Sequence, residues 1–414
     1  MKKTPLMIAA ALATIGVRAA VEPLSPVDGT TLPLLNEVQK KIMSIPTYSE
    51  RLAALQEDAK IEKKENRFYG RHSSWWRVSN PLVLKWKVTA DEKGPWKVEL
   101  GKKADLSDAK VLYFGDSEVK VGKDGACKKE IERANLEIAA TYYWRVTANV
   151  HCPKGKCNHD CFCKKGRPET VSPVASFVTE DLAPRWIAIE GKVANIRDLG
   201  GRHTSYGKRV RQGMVYRGQG LNYNSVTGAV KGRNRLTVVD VEYFTQELGV
   251  KTDLDLRTPR ETADLASSPL GPTVKFVLRS SPCYGGIFGE SGKKTMAANF
   301  RLFCDKANYP IYFHCIGGAD RTGSLAYVLN GILGVDRHEL ETDWESTFYP
   351  TSLPEMRKDY TGEKYWCREQ HFDNGFAKYG KPEDTWNRRI ELYLLDCGIK
   401  PDEIEAFRKI MLED

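Results

Sequence analysis

One segment in the second half of the chain combines residue types that can do phosphate chemistry. Cys315 is followed six positions later by Arg321, with Gly317 and Gly318 between them. Adjacent glycines let the backbone approach a ligand closely and adopt dihedral angles that other residues avoid. A thiolate is a nucleophile, and an arginine can hold two phosphate oxygens at once. The spacing therefore indicates a site in which a cysteine attacks a phosphoryl group.

The loop between these two residues has a suitable length to surround one anion. Its backbone N–H groups can turn inwards, and a helix starting at its end adds the positive end of a dipole. This field favours the thiolate form of Cys315. Thr322 can donate a hydrogen bond to the sulfur when it becomes the leaving group. The predicted phosphate-binding residues are Ile316, Gly317, Gly318, Ala319, Asp320 and Arg321.

Three other interpretations of Cys315 are weaker. An inert buried thiol needs neither two glycines nor an arginine close by. A degenerate, inactive site would be expected to lack the nucleophile or the arginine, and both are present. A hydrolase with a Cys-His arrangement is also disfavoured, because His314 would point to the opposite side of a strand from Cys315.

The segment from His314 to Gly323 closely resembles the His-Cys-x5-Arg-Thr-Gly signature of cysteine-dependent phosphatases, the tyrosine and dual-specificity superfamily. Two further blocks narrow the resemblance. Residues 194–218 contain ANIRDLGG and VRQGMVYRG, and residues 248–257 read LGVKTDLDLR. Both are similar to patterns of the bacterial tyrosine phosphatase family. The resemblance covers about residues 190–414.

This resemblance implies two-step hydrolysis of phosphomonoesters without a metal or other cofactor. Cys315 would form a phosphocysteine, Arg321 would stabilise the transferring group, and a general acid would protonate the leaving alcohol. Asp320 is the preferred acid, because it lies in the loop and the resemblance supports that placement. Many cysteine phosphatases carry the acid on a separate loop, so Asp198, Asp253 and Asp255 stay as alternatives.

Some of these residues are expected to support the loop instead. Asp198 and Asp255 are more simply explained as partners of Arg257, of Arg197 or of the loop backbone. The predicted supporting residues are His314, Asp198, Asp255 and Arg257.

The loop composition also bears on the substrate. Relatives tend to carry lysine where this chain has Ala319, and a lysine there could contact a second phosphate. Its absence favours phosphotyrosine in proteins, with phosphoserine and phosphothreonine as further substrates, or a small phosphomonoester. Phosphoinositides and inositol phosphates are the alternative. A protein of another class, a secreted binding or adhesion protein with a vestigial phosphatase domain, is the rival hypothesis.

The elements around the loop predict an α/β phosphatase domain over residues 186–414, with a central sheet flanked by helices. Strands and helices alternate along this part of the chain, as in other α/β domains. Thr258 and Glu261 form the capping box of a helix that follows one strand. The predicted strands are 250–256 and 311–313, and the predicted helices include 240–248 and 321–333.

The preceding part of the chain has a different pattern. Short segments with alternating apolar residues are separated by turn residues, which is typical of a β-sandwich. These segments are 82–88, 96–100, 142–150 and 175–179. They resemble strands of fibronectin type III-like or immunoglobulin-like domains. We therefore predict an all-β sandwich-like accessory domain over residues 70–185, after a helical N-terminal extension over residues 21–69.

The ten cysteines are unevenly distributed. Four of them lie within twelve residues of the accessory domain: Cys152, Cys157, Cys161 and Cys163. Disulfides in an exported loop are favoured, and a zinc site formed by these thiolates, with His151 and His159 as further candidate ligands, is the alternative. Five cysteines have no predicted role: Cys127, Cys283, Cys304, Cys367 and Cys397. An open question is whether Cys283 or Cys304 pairs reversibly with Cys315.

Residues 1–20 resemble a secretory signal peptide. Lys2 and Lys3 precede an apolar stretch over residues 6–17, and the small residues Ala19 and Ala20 follow it. The expected location is therefore secreted or periplasmic, with an uncleaved anchor as the alternative. No further apolar run is long enough to span a membrane. The net charge of +9 is mild, and no basic block typical of nucleic-acid binding is present.

Overall fold

The computed structural model describes residues 20–47, 50–51, 53–54, 80–89, 92, 94–150, 168–190, 193–221, 236–262, 265–347 and 372–414. These residues form two compact units. The first lies within residues 1–30, 83–130 and 141–178, and the second within 31–82, 131–140 and 179–414. The cysteine cluster at 152–163, Cys367 and the predicted signal peptide up to residue 19 lie outside the described residues.

The N-terminal half is rich in strands, as predicted. They are β1 (Val21–Ser25), β2 (Thr31–Leu32), β3 (Leu82–Val88), β4 (Trp96–Gly101), β5 (Lys110–Phe114), β6 (Lys120–Val121), β7 (Ala126–Ile131), β8 (Thr141–Ala148), β9 (Thr170–Val171) and β10 (Ala175–Thr179). One sheet has the order β1-β3-β7-β6. In the other, β10, β8, β4 and β5 are consecutive neighbours, and β9 pairs with β8.

The alternating pattern places the larger apolar side chains between these sheets. Trp86 of β3 and Trp96 of β4 are buried, and their rings meet edge to face with centroids 5.3 Å apart. Trp144 of β8 is also buried, and its indole N–H donates to the carbonyl of Pro26 at 2.8 Å. The expectation of a preceding β domain is confirmed, whereas its resemblance to fibronectin type III domains stays a prediction.

The helical prediction for residues 21–69 is wrong at its start. Val21 pairs with Val88, and Pro23 with Trp86, in an antiparallel ladder that holds this segment extended. The first helix, α1 (Glu37–Met43), begins only after Asn36, whose side chain accepts from the Gln39 amide at 2.9 Å. A proline inside the segment also disfavours helix there.

The boundary predicted near residue 185 differs from the division into compact units. Residues 131–140 and the described residues of 31–82 belong to the second unit. Asn135 explains part of this, because its side chain donates to the Ala188 carbonyl at 2.9 Å and accepts from the Ala188 amide at 2.8 Å. The buried Arg51 contacts Glu345 at 2.6 Å. Segments distant in sequence therefore complete the second unit.

The second unit has a central sheet flanked by helices, which confirms the predicted fold class. Its strands are β11 (Arg197–Asp198), β12 (Val215–Gln219), β13 (Thr252–Asp255), β14 (Lys275–Leu278) and β15 (Ile311–Cys315). The order is β11-β12-β15-β13-β14. The last four strands are mutually parallel, and β11 is antiparallel to β12.

The helix α1 belongs to this unit, and its other helices follow the strands along the chain. They are α2 (Val238–Glu242), α3 (Pro259–Thr262), α4 (Glu290–Phe303), α5 (Asp320–Ile332), α6 (Arg337–Ser346), α7 (Asn374–Phe376), α8 (Trp386–Asp396) and α9 (Pro401–Met411). Short 3-10 turns of this unit span Tyr284–Phe288 and Lys306–Asn308, and a π-helical turn over Tyr243–Glu247 continues α2, whereas the 3-10 turn Asp116–Glu118 lies in the first unit. Among the described helices, none is both long and apolar enough to cross a bilayer.

The central strand β15 separates two apolar clusters. Ile311, Phe313 and Cys315 belong to the larger one, whereas Tyr312 packs in the other, where its ring meets Phe244 at 5.1 Å. Alternate side chains of a strand point to opposite faces of the sheet. Cys315 therefore ends the strand on the face that the larger cluster covers, and His314 lies on the opposite face.

Candidate active site

The loop after β15 occupies the carboxyl edge of the parallel sheet. Cys315 is the last residue of the strand and is buried, and helix α5 begins at Asp320. The neighbouring strands end at the same level, with Gln219 opposite Cys315 and Asp255 opposite His314. Ligands of open α/β sheets bind at this edge. The strand, the loop and the helix thus lie where the sequence predicted them.

Gly318 is required by the shape of the loop. Its φ is +68°, and a Cβ atom there would lie 2.4 Å from the carbonyl carbon and oxygen of Gly218. Any side chain would displace one of two backbone segments. The expectation of an unusual dihedral angle is confirmed at this glycine. The close approach that the structure shows is to Gly218, and a close approach to a phosphate stays a prediction.

Three donors from outside the loop bind its carbonyl groups. The Gly220 amide donates to Ile316 O at 3.1 Å, and the Asn195 side chain donates to Gly317 O at 3.1 Å. Arg217 Nη2 donates to Gly318 O at 2.8 Å. In a trans peptide the C=O and N–H groups point in opposite directions. The N–H groups of residues 317–319 therefore face away from these donors, and the N-terminus of α5 can add to an anion site there.

Arg321 is held end-on by a carboxylate. Its Nη1 donates to Glu261 Oε2 at 2.7 Å and its Nη2 to Glu261 Oε1 at 2.9 Å. No acceptor for Nε is found among the described residues. The guanidinium edge formed by Nε and Nη2 is thus available to two phosphate oxygens, a geometry that arginine favours.

Glu261 is placed by the predicted capping box. The amide and hydroxyl of Thr258 donate to Glu261 Oε2 at 2.7 and 2.9 Å. Burial alone would raise the pKa of Glu261, but the hydrogen bonds from Arg321 and Thr258 lower it to about 2. The sequence indicated the capping role of this residue and missed its contact with Arg321. The position of Glu261 shortly after β13, the strand beside β15, was the sequence signal that could have indicated this contact.

Asp320, the preferred general acid, lies half-buried at the start of α5. The Tyr284 hydroxyl donates to its Oδ1, and Ser324 Oγ donates to its carbonyl at 2.8 Å. Burial and the charge of Asp320 raise the pKa of Tyr284 above its ordinary range. The tyrosine is therefore a hydrogen-bond donor at every ordinary pH.

The three alternative acids are buried and bound by other groups. Asp253 Oδ1 contacts His314 Nε2 at 2.8 Å, and Ser268 donates to its Oδ2 at 2.6 Å. Asp255 binds Arg257 through both oxygens, at 2.9 Å from Nε and 2.5 Å from Nη2.

Asp198 accepts from the amides of Gly200 at 2.8 Å and Gly213 at 2.7 Å, and Arg185 lies 3.2 Å away. The ion pair between Asp255 and Arg257 agrees with the supporting roles predicted for these two residues. Arg197, in contrast, does not pair with Asp198.

Asp343 of α6 forms ion pairs with three buried arginines, one of which binds the loop. Its carboxylate lies 2.9 Å from Arg197 Nε, 3.0 Å from Arg202 Nη2 and 2.6 Å from Arg217 Nη1. Burial would raise the pKa of Asp343, but the three cations hold it well below its usual range. Arg217 also donates to the loop carbonyl of Gly318. The sequence pattern does not indicate this cluster, because its acid and its arginines lie far apart in the chain.

Two points of the sequence analysis concern the sulfur of Cys315. The Thr322 hydroxyl is buried without a hydrogen-bond partner among the described residues, and its bond to the sulfur as a leaving group stays a prediction. Cys315, Cys283 and Cys304 are free thiols. The Cys304 thiol contacts the carbonyl of Glu403, a residue of α9, at 3.3 Å. Burial, with a contribution from Asp320, raises the pKa of Cys283 to about 11.

Metal binding was predicted only as an alternative, at a cluster outside the described residues. Within the described ranges, no group of three or more histidine, cysteine or acidic side chains is arranged to hold a metal ion.

A protein family and a solved structure are similar to this chain. The description of the family whose model matches residues 188–413 is "Tyrosine phosphatase family". Among curated proteins, none matches the chain. Among solved structures, the chain is similar to the core catalytic domain of the PP-IP phosphatase SIW14 from S. cerevisiae in complex with citrate. The identity is 14%, the TM-score is 0.23, and the match covers 38% of this chain and 83% of that chain.

The family match is decisive because of its extent. It spans more than half of the 414 residues and includes β15, the loop after it and α5. The chain belongs to the tyrosine phosphatase family.

Proposed function

We propose that this protein hydrolyses phosphotyrosine in proteins through a phosphocysteine intermediate, with phosphoserine and phosphothreonine as further substrates. The observation that carries the proposal is the loop itself. Its carbonyls are bound from outside by Gly220, Asn195 and Arg217, so its amides are oriented for an anion. Cys315 begins this loop, and the open edge of Arg321 follows it.

The reaction follows from these positions. Cys315 Sγ attacks phosphorus, and the bond from phosphorus to the ester oxygen breaks as the P–S bond forms. Asp320 gives its proton to the leaving oxygen. Water then attacks the phosphocysteine, Asp320 takes a proton from it, and the P–S bond breaks to restore the thiolate and release phosphate. Arg321 and the loop amides stabilise the charge on the phosphoryl oxygens in both steps.

Release of p-nitrophenol from p-nitrophenyl phosphate tests this proposal. Cys315→Ser is expected to abolish turnover while the variant still binds inorganic phosphate, because the amides and Arg321 are unchanged. Cys304→Ser is the matched control, since the Cys304 thiol donates to the carbonyls of Phe300 in α4 and Glu403 in α9. Wild-type protein that binds phosphate but never turns over would instead support a vestigial domain in a binding or adhesion protein.

The substrate class needs its own comparison. Ala319 supplies no second cation in the loop, which supports phosphopeptides over phosphoinositides and inositol phosphates. Turnover of a phosphotyrosine peptide, a phosphoserine peptide and a phosphoinositide should be measured at equal concentration. Faster hydrolysis of the phosphoinositide would replace the proposal by that alternative.

Export belongs to the same proposal. The N-terminal pattern of residues 1–20 supports a secreted or periplasmic location. N-terminal sequencing of the protein purified from culture medium and from the periplasm is expected to begin after Ala20. A chain that starts at Met1 in the membrane fraction would favour the anchored alternative.

A further inference from the structure

The general acid proposed above has a partner on another element. Tyr284 begins the 3-10 turn Tyr284–Phe288, and its hydroxyl donates to Oδ1 of Asp320. The two residues are 36 positions apart in the chain. No described residue donates to the second oxygen, Oδ2. One carboxylate oxygen is therefore bound by the tyrosine, and the other can exchange a proton with a substrate.

Several contacts fix the direction of the Tyr284 side chain. The backbone amide of Tyr284 donates to Ser324 Oγ at 3.1 Å, and the Ser324 hydroxyl in turn donates to the Asp320 carbonyl at 2.8 Å. Its ring lies 5.7 Å from that of Trp344, tilted by 56°. Thus, α5 and α6 both hold the tyrosine.

The backbone of Tyr284 is also unusual, since its φ is +54°. A bulky residue rarely adopts this left-handed conformation. Such a conformation persists where the surrounding contacts determine it, and it is frequent at functional sites.

We propose that Tyr284 is a positioning residue for the general acid, orienting the Asp320 carboxylate so that Oδ2 faces the leaving oxygen. The inference rests on the proposed function, in which Asp320 is the acid. General acid catalysis requires the proton donor within hydrogen-bond distance of the leaving atom. The raised pKa of Tyr284 keeps its hydroxyl protonated, so the residue orients the acid and does not act as a base.

The dependence on the leaving group distinguishes this role from a structural one. An alkyl phosphate needs a proton at its leaving oxygen, whereas p-nitrophenolate leaves with much less assistance. Tyr284→Phe keeps the ring against Trp344 and removes only the hydroxyl. We expect kcat for an alkyl phosphate to fall about 10-fold, and kcat for p-nitrophenyl phosphate by less than about 3-fold, with KM unchanged.

The matched control is Tyr393→Phe. This change removes a buried hydroxyl that donates to the Ile287 carbonyl of the same 3-10 turn, at 2.9 Å. It should leave the ratio of the two kcat values unchanged. An equal fall with both substrates in Tyr284→Phe, or no fall with either, would overturn the proposal.

Two further variants keep the outcome decisive. Asp320→Asn should show the same preference for the good leaving group, and Tyr284→Phe should add little to it. If wild-type protein turns over but Asp320→Asn has no such preference, the assignment of Asp320 fails and this inference fails with it.

If Tyr284→Phe does not fold, Ser324→Ala replaces it. That variant loses the bonds to the Tyr284 amide and the Asp320 carbonyl, and equal losses on both substrates would contradict the proposal.

Discussion

At the scale of single residues, Glu261 connects the start of a helix to the phosphate-binding arginine. One of its oxygens accepts from Thr258 and from Arg321, and the other accepts from Arg321. The carboxylate therefore fixes the orientation of the guanidinium before a substrate arrives. Alignment of this kind can account for large rate effects, because small displacements in an active site are costly.

Glu261→Gln should lower kcat/KM for p-nitrophenyl phosphate by about 10- to 100-fold. The amide nitrogen of glutamine cannot accept from Arg321, so the end-on pair is lost. Steady-state kinetics measure the effect. Thr258→Ala is the control, because it weakens the cap by about 1 kcal/mol but leaves the Glu261–Arg321 pair. Wild-type kinetics in Glu261→Gln would show that Arg321 is oriented by other groups.

The same carboxylate should make stability depend on pH. Its pKa is about 2 in the folded protein, against an ordinary value of 4.5. A lowered pKa stabilises the fold fully above the unfolded value, and this contribution is lost as the pH falls towards the folded value. The difference in unfolding free energy between wild type and Glu261→Gln should be constant above about pH 5 and shrink below it. Urea titrations at several pH values test this, and a difference that grows on acidification would contradict it.

At the scale of elements, the loop is shaped by the strand beside it. Gly318 passes so close to Gly218 that the two backbones exclude a side chain. Arg217, just before Gly218, donates to the loop carbonyl of Gly318, and Gln219, just after it, is paired with Cys315 in the sheet. Strand β12 therefore packs against the anion-binding loop as well as forming part of the sheet.

Gly318→Ala should abolish phosphate binding, because the new Cβ would displace the loop from Gly218. Gly207→Ala is a matched control, with a φ of +72° and no atom within 4 Å of the added Cβ. Both substitutions carry the left-handed penalty of about 1–2 kcal/mol. Only the first should change phosphate affinity, as measured by calorimetry. Equal affinities would mean that the loop tolerates the displacement.

The strand, loop and helix of the site could be predicted because their residues are contiguous. The partners of the loop could not be predicted in the same way. Glu261 lies 60 residues before Arg321, and Asp343 lies 126 residues after Arg217. Only the tertiary packing brings them together. Similarly, Val21–Ser25 lacks a clear strand pattern of its own, and its pairing with β3 determines its conformation.

At the scale of the whole molecule, the phosphatase unit includes segments that the sequence pattern assigned elsewhere. Arg51 shows this well, because it is fully buried and contacts Glu345 and Glu341 at 2.6 and 2.9 Å. Asn135 binds Ala188 in the same unit. A fragment that starts at residue 186 would lack both groups, although the family match begins at residue 188.

Arg51→Met should destabilise this unit by about 3–5 kcal/mol, because it removes a buried cation that contacts the buried Glu345. Lys40→Met is the control, since Lys40 and Glu180 are each about a quarter exposed and such pairs contribute less than about 1 kcal/mol. The urea midpoint for loss of phosphate binding reports on this unit. Similar midpoints for the two variants would contradict the expectation.

The cluster around Asp343 has a consequence for the order of folding. The carboxylate on α6 neutralises arginines that come from β11, β12 and the segment between them, and one of these arginines binds the loop. Until α6 docks, those cations repel one another, and one of the three donors that hold the loop carbonyls lacks its carboxylate partner. During refolding, full phosphate affinity should therefore recover together with the docking of α6, so that phosphate binding reports on that step.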